Sequence, residues 1–191
     1  MKTKSKIVLL LILVVLLSFI LCLVFDNQIL SFFLMLRTKT GISLDFVEND
    51  YLVYPIMIAT QLLFILIDSN GFKVGKRKML YLVMSLIITF LISTLLRTII
   101  PRERPSTSPH KFLTDISLDK YSFPSGHTSM TFNLFAFIKN KVLIWIWAIV
   151  AVFIMISRLW NGMHYPSDVI AGAILGYIVP FTFLKIIKGT K

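Results

Sequence analysis

Twelve residues, Ser157–Asp168 (SRLWNGMHYPSD), set a cation, an imidazole and a carboxylate between two long apolar runs. Ionisable groups beside a membrane-length apolar run are costly to keep, so Arg158, His164 and Asp168 are candidates for chemistry. Pro166 and Ser167 read as a helix start, with Pro tolerated in the first turn and Ser able to cap it. His164 then precedes the helix and Asp168 falls in its first turn, four residues on and on the same side. From there the carboxylate can accept from one imidazole nitrogen and fix the tautomer. The other nitrogen is left to attack or to carry a proton. The same residues also read as a helix-capping Asp beside an interfacial His, and this stretch alone does not separate the two.

Two further segments carry unusual residues. Arg97 and Arg104-Pro105 flank the start of a polar loop, and Tyr121-Ser122-Phe123-Pro124-Ser125-Gly126-His127 opens an apolar run. In the latter, Ser125 is expected at the N-cap and Gly126 lets an anion approach the backbone closely. The unpaired N–H groups and the helix dipole favour a phosphate there. Arg97, Arg104 and Arg158 offer planar forks suited to phosphate oxygens, and His127 and His164 supply a nucleophile and an acid.

The elements that must position these residues are membrane spans. The 191-residue chain is 57% hydrophobic, has a mean hydropathy of +0.83, and gathers its apolar residues into runs. Its net charge of +11 could suggest nucleic acid, but that reading needs a basic face or stripe. The charges lie instead in short connections between apolar runs, where membrane topology accounts for them. Cys22 is the single cysteine, which excludes a disulfide framework and a Cys-based zinc site.

The pattern predicts an all-α, six-span bundle forming one unit over residues 1–191, with its motif core at 97–168. The spans are Ile7–Phe25, Tyr51–Ile67, Met79–Ile100, Pro124–Ile138, Val142–Ser157 and Val169–Ile187. The first is nineteen residues, about 28 Å of helix. It is too long for a signal-peptide core and is expected to stay uncleaved. Ile29–Leu36 is too short to span and is expected to be an interfacial helix between the first two spans. Twelve of the twenty Lys and Arg fall in the N-terminal tail, the 68–78 turn, the 139–141 turn and the C-terminal tail. That face is therefore expected to be cytoplasmic, with both termini on it. The Pro101–Phe123 loop and Ser157–Asp168 then open on the outer face. The fourth span is short, about 21 Å from Ser125 to Ile138 against a core of about 30 Å. Its outer end is expected to lie near headgroup depth, where a lipid substrate, rather than a soluble one, presents its phosphate.

Taken in order, the three segments resemble the type 2 phosphatidic acid phosphatase superfamily, which shares its site with vanadium haloperoxidases. That signature is Lys, six residues, Arg-Pro, then Pro-Ser-Gly-His, then Ser-Arg, five residues, His, three residues, Asp. Pro124-Ser125-Gly126-His127 matches the second element, and Ser157-Arg158, His164 and Asp168 match the third at full spacing. The first departs from it: Arg97 stands where Lys is usual, seven residues before Arg104-Pro105, so a planar fork replaces a compact ammonium.

The resemblance implies a phosphatase. His164 would attack phosphorus and become a phosphohistidine, with Asp168 orienting it. His127 would protonate the leaving oxygen and then activate water. Arg97, Arg104, Arg158 and the Ser125–Gly126 backbone would hold the phosphate oxygens. It implies no metal and no other cofactor, and the chain offers no carboxylate cluster for one. The implied partner is a phosphorylated lipid in the cell membrane and not a nucleic acid; nothing in the residues fixes an oligomeric state. By analogy with small six-span relatives the expected lipid is undecaprenyl diphosphate, with phosphatidylglycerophosphate or phosphatidate as the alternative. A phosphotransferase would differ only in its acceptor. A small transporter or channel should carry ionisable groups at mid-membrane depth, which Ile7–Phe25, Tyr51–Ile67, Val142–Ser157 and Val169–Leu184 lack.

The other unusual residues have plainer readings. His110, Glu103 and Asp115 read as solvated loop residues, and Gly172 and Gly176 as a Gly-x-x-x-Gly helix-packing surface. Gln61 and Asn133 read as interhelical hydrogen bonders. Trp145, Trp147 and Trp160 are expected in interface belts.

Overall fold

Apolar runs of this length must satisfy every backbone amide internally, and helices do so segment by segment. The computed structural model describes residues 2–69, 71–105 and 120–189. Residues 106–119, with His110 and Asp115, lie outside the described residues, as does Lys191. Among the described residues there are six α-helices: α1 (Lys2–Thr40), α2 (Asp50–Asp68), α3 (Phe72–Ile99), α4 (Gly126–Phe132), α5 (Lys141–Trp160) and α6 (Pro166–Gly189). Short 3-10 turns lie at Asp45–Glu48 and Asn133–Ala136. The β-pairing among the described residues is an isolated antiparallel bridge between Glu103 and Tyr121, which ties together the two ends of the loop between α3 and α4.

Among the described residues, five helices are long and apolar enough to cross a membrane: Leu13–Thr40, Asp50–Asp68, Phe72–Ile99, Lys141–Trp160 and Pro166–Ile187. The fourth expected span is not among them. Over Pro124–Ile138 the chain forms only α4 and the 3-10 turn that follows it. The reason is local. Ser129 Oγ donates to the Gly126 carbonyl at 2.9 Å, Thr131 Oγ1 to the His127 carbonyl at 2.8 Å, and Asn133 Nδ2 to the Ser129 carbonyl at 3.0 Å. Side chains that bond the backbone in this way compete with helical propagation. The segment is nevertheless the axis of the molecule. Residues 126–131, Asn133 and Leu134 are buried, and α2, α3, α5 and α6 pack around them.

The expected helix over Ile29–Leu36 lies in the second part of α1, set off from the first by a kink. The apolar run does end at Phe25, whose φ of −106° and ψ of 15° break the helix, but α1 resumes and continues to Thr40. Gly41, at φ 65°, then closes it, with its N–H donating to the Arg37 carbonyl at 3.0 Å; a left-handed residue after a helix is the conformation glycine adopts without steric cost.

Packing around α4 relies on small and polar residues, as expected where lipid removes the hydrophobic drive between helices. A Cβ on Gly172 would lie 2.5 Å from the Ser125 carbonyl oxygen. One on Gly176 would run into the Ser129 backbone, so the Gly-x-x-x-Gly face of α6 lies directly on α4. Ser85, Thr89 and Ser93, at four-residue intervals on α3, meet Asn133 and Ser129. Ser85 Oγ donates to Asn133 Oδ1, Asn133 Nδ2 donates to Thr89 Oγ1 at 3.0 Å, and the Ser93 and Ser129 hydroxyls pair at 3.2 Å. Gln61 Nε2 donates to the Met130 carbonyl at 3.2 Å. Trp147 departs from the interface-belt expectation. It is buried, and its Nε1–H donates to the Thr131 carbonyl at 2.9 Å, because α5 turns this residue onto α4 while Trp145 remains 73% exposed.

Two charged clamps close the ends of the bundle. At one, Asp68 pairs with Lys78 at 2.8 Å and accepts the Lys139 and Asn140 N–H groups at 2.9 and 2.7 Å. This joins the α2–α3 turn to the α4–α5 turn. At the other, Asp26 beside the α1 kink accepts from the Ser167 N–H at 2.8 Å and from Arg102 Nη2 at 2.8 Å, joining α1 to the start of α6.

Candidate active site

The motif residues converge at the second of these ends, where α3 and α5 finish and α4 and α6 begin. Pro166 opens α6, and Asp168 Oδ2 reaches back to accept the Tyr165 N–H at 2.8 Å, one half of a capping box. Ser167, expected to cap this helix itself, instead donates through Oγ to Asp26 at 2.5 Å. The reason is that Asp26 supplies the cap from α1. His164 is held just ahead of the helix. Its Nδ1–H donates to the Ser122 carbonyl at 2.8 Å, and Asp168 Oδ2 lies 3.8 Å from the same nitrogen. The tautomer is thus set by a backbone carbonyl with the carboxylate behind it, and the proton on Nδ1 leaves Nε2 with its lone pair.

Ser125 and Gly126 at the start of α4, with Arg97 of α3, Arg158 of α5 and Arg104 of the loop after α3, complete the site. Ser125 stands at the N-cap but makes no side-chain cap bond. Its hydroxyl pairs with Thr128 Oγ1 at 3.0 Å, and its N–H donates to the Asp168 carbonyl at 3.0 Å. Gly126 allows a close approach: a Cβ there would lie 2.7 Å from Arg97 Nη2 and 3.1 Å from the Tyr54 hydroxyl, so both side-chain ends would have to shift. Arg97, in the last turn of α3, also donates to the Pro124 carbonyl at 3.5 Å. Arg158 is 2% exposed. Its Nη2 donates to the Val47 carbonyl at 2.6 Å and its Nη1 lies 3.4 Å from His127 Nδ1. Arg104 is held by its backbone N–H, which donates to the Lys120 carbonyl at 3.2 Å.

Burial decides the electrostatics. It pushes His164 down to about 4, with the charges of Arg104 and Arg97 adding to the effect and Asp168 opposing it. The imidazole is therefore neutral at physiological pH. Arg97 and Arg104 act on both imidazoles and Arg158 on His127, so three cations lie within electrostatic reach of the two histidines. Such a place favours an anion with several oxygens, and a neutral imidazole facing it can act as a nucleophile.

Several contributors carry no sequence signal of the motif kind. Arg102 donates from Nη1 to Asp168 Oδ1 at 2.9 Å and to Ser167 Oγ at 2.6 Å, and lies over the Tyr165 ring at 3.9 Å. Asp26 was legible only as a carboxylate directly after the first apolar run. Tyr54 stacks on His127 with ring centroids 4.4 Å apart, and Asp50 Oδ1 lies 3.1 Å from His127 Nε2.

The family model described as PAP2 superfamily matches residues 78–190, more than half of the chain and all three motifs. The chain belongs to the PAP2 superfamily. It is similar to the bacitracin transport permease protein BcrC of Bacillus licheniformis, 46% identical over 30% of this chain and 29% of that one. It is similar also to a lipid A 4'-phosphatase of Porphyromonas gingivalis, 30% identical over 60% and 55%. An undecaprenyl-diphosphatase of Sulfolobus acidocaldarius is 29% identical over 60% and 58%. The matched stretches cover less than two thirds of each relative's length. Among solved structures, a transmembrane PAP2 type phosphatidylglycerolphosphate phosphatase from Bacillus subtilis superposes with a TM-score of 0.62 at 21% identity, over 94% of this chain and 96% of that one. This PAP2 chain, with its several membrane-length helices, is a multi-pass membrane protein.

Proposed function

We propose that this protein is a lipid phosphatase that removes phosphate from a phosphorylated membrane lipid at the outer face of the cell membrane. The observation that carries the reading is a neutral, buried His164 with its Nδ1 proton tied to Ser122 and Asp168 behind it, beside arginines that attract phosphate. In this reading His164 Nε2 attacks phosphorus to give a phosphohistidine. Arg97, Arg104, Arg158 and the Ser125–Gly126 backbone hold the oxygens whose charge redistributes. His127 gives a proton to the leaving oxygen and later takes one from water. No metal enters the scheme.

The substrate we favour is undecaprenyl diphosphate, supported by the similarity to an undecaprenyl-diphosphatase. A lipid phosphomonoester is the second reading, supported by the similarity to a lipid A 4'-phosphatase. An apolar groove of about 210 Å³ runs between α2 and α5 from Phe46 and Val47 to Trp147 and Phe153, and its Val47 rim is bound by Arg158. A site whose edge continues into an apolar groove suits a lipid better than a soluble phosphate ester. We further propose that residues 1–191 act as one unit with six crossings. α4 and the turn after it lead from the Arg97 and His127 end to the Asp68 clamp, so this short segment makes the fourth crossing and both termini are cytoplasmic.

The test is phosphate release by purified wild type and His164→Ala in detergent with EDTA. The panel is undecaprenyl diphosphate, phosphatidylglycerophosphate, phosphatidate and lipid A. Release from one of them by the wild type alone, with phosphate trapped on His164, is the expected result. Release that depends on added metal, or that survives in His164→Ala, overturns the scheme.

A further inference from the structure

We propose that the first turn of α2, through Asp50 and Tyr54, holds His127 ready to deliver the proton that the leaving oxygen needs. The inference rests on the phosphatase reading above and assigns roles to two residues outside the three motifs. Asp50 and Tyr54 are four residues apart and so share a face of α2, and both meet the imidazole. Tyr54 stacks on it with an interplanar angle of 23°, which fixes the ring plane, and its hydroxyl lies 3.3 Å from Nδ1. Arg158 Nη1 lies 3.4 Å from the same nitrogen. A guanidinium can only donate, whereas a hydroxyl can donate or accept. When the ring is neutral at Nδ1, both neighbours can donate to it. When the ring is cationic, Nδ1–H needs an acceptor, and of these two neighbours only the Tyr54 hydroxyl can become one.

The other nitrogen is placed differently. His127 Nε2 is buried and has no hydrogen-bond partner among the described residues, yet Asp50 Oδ1 stands 3.1 Å from it. A buried polar atom left without a hydrogen bond calls for an explanation; here it is the place of a substrate oxygen. When the ring is protonated, the nearby carboxylate offsets part of the repulsion from the cations that also face it: Arg97 from α3, Arg104 from the loop after α3 and Arg158 from α5, with His164 also acting on it. Proton transfer then balances. As the bond from His164 Nε2 to phosphorus forms and the bridging P–O bond breaks, the Nε2 proton of His127 passes to the departing oxygen. As water attacks and the P–N bond breaks, the water proton returns to His127.

Asp50 and Tyr54 are thus positioning residues, and the leaving group tests them. A thiolate departs without a proton, so the same lipid with sulfur in place of the bridging oxygen needs no acid. Asp50→Asn should lower kcat on the oxygen lipid by roughly 100-fold, with KM little changed, while its rate on the sulfur lipid stays within about threefold of wild type. Tyr54→Phe, which keeps the stacked ring and removes only the hydroxyl, should show the same selectivity. Equal losses on the two substrates would overturn the proposal, as would no loss on either. If the wild type cleaves neither substrate, the phosphatase reading itself fails, and this is separable from a failure confined to the variants.

Discussion

His164 shows how much one buried side chain governs. With a folded pKa near 4 against an ordinary value of 6.5, the folded chain binds fewer protons than the unfolded chain between those limits. Stability should therefore fall as pH drops from about 6.5 to about 4 and should not respond to this group above that window. Activity should persist well below pH 6, because the proposed nucleophile stays unprotonated, and the acid limb of kcat/KM due to this residue should lie near 4; a limb near 6.5 would show an ordinary, solvated imidazole. Arg97 argues from geometry instead. Its guanidinium lies against Gly126, where a Cβ would push it aside, and reaches the Pro124 carbonyl. Arg97→Lys keeps the charge but loses the fork, and it should lower kcat/KM by about tenfold in a phosphate-release assay. An unchanged value would mean that only charge matters at that corner.

Among the elements, α6 is the one on which the site depends. Its start is held by a cap from Asp26 of α1 and by Arg102, and its glycine face lies on the α4 backbone. Gly176→Ala would drive a methyl group into the Ser129 backbone, which cannot give way as a flexible side chain can. It should cost about 1–3 kcal/mol, read as a lower Tm in detergent. Asp26→Asn removes the charge that Arg102 shares with Asp168. It should destabilise the fold by about 2–3 kcal/mol, and by much less once Arg102 is already replaced. Equal costs in the two backgrounds would show that the pair is not coupled.

At the scale of the whole molecule, the two charged clamps mark opposite ends, and the site belongs to the one formed by Asp26, Arg102 and Asp168. With Cys22 replaced, a cysteine at Glu103 should react with a membrane-impermeant maleimide on intact cells. One at Lys141 should react only after permeabilisation. The reverse pattern would place the site in the cytoplasm and remove the carrier-lipid reading that depends on an outer site.

What the sequence by itself determined was chemistry carried in local order. Pro124-Ser125-Gly126-His127 and the spacing from Arg158 through His164 to Asp168 revealed the family, and hydropathy revealed the long helices, because both signals reside in neighbouring residues. The roles of Gln61, Asn133, Gly172 and Gly176 were also legible, since a polar or small residue inside an apolar run has few other uses. Only the tertiary structure decided which partners distant segments bring. Asp26 and Arg102 meet across 76 positions and Tyr54 and His127 across 73, and no local pattern encodes such pairs. It also decided that Trp147 faces α4 rather than a membrane interface, and that the fourth segment is a short helix running into a 3-10 turn. Those outcomes depend on which face of α5 meets α4, and on side-chain hydroxyls competing with the helix for its own carbonyls.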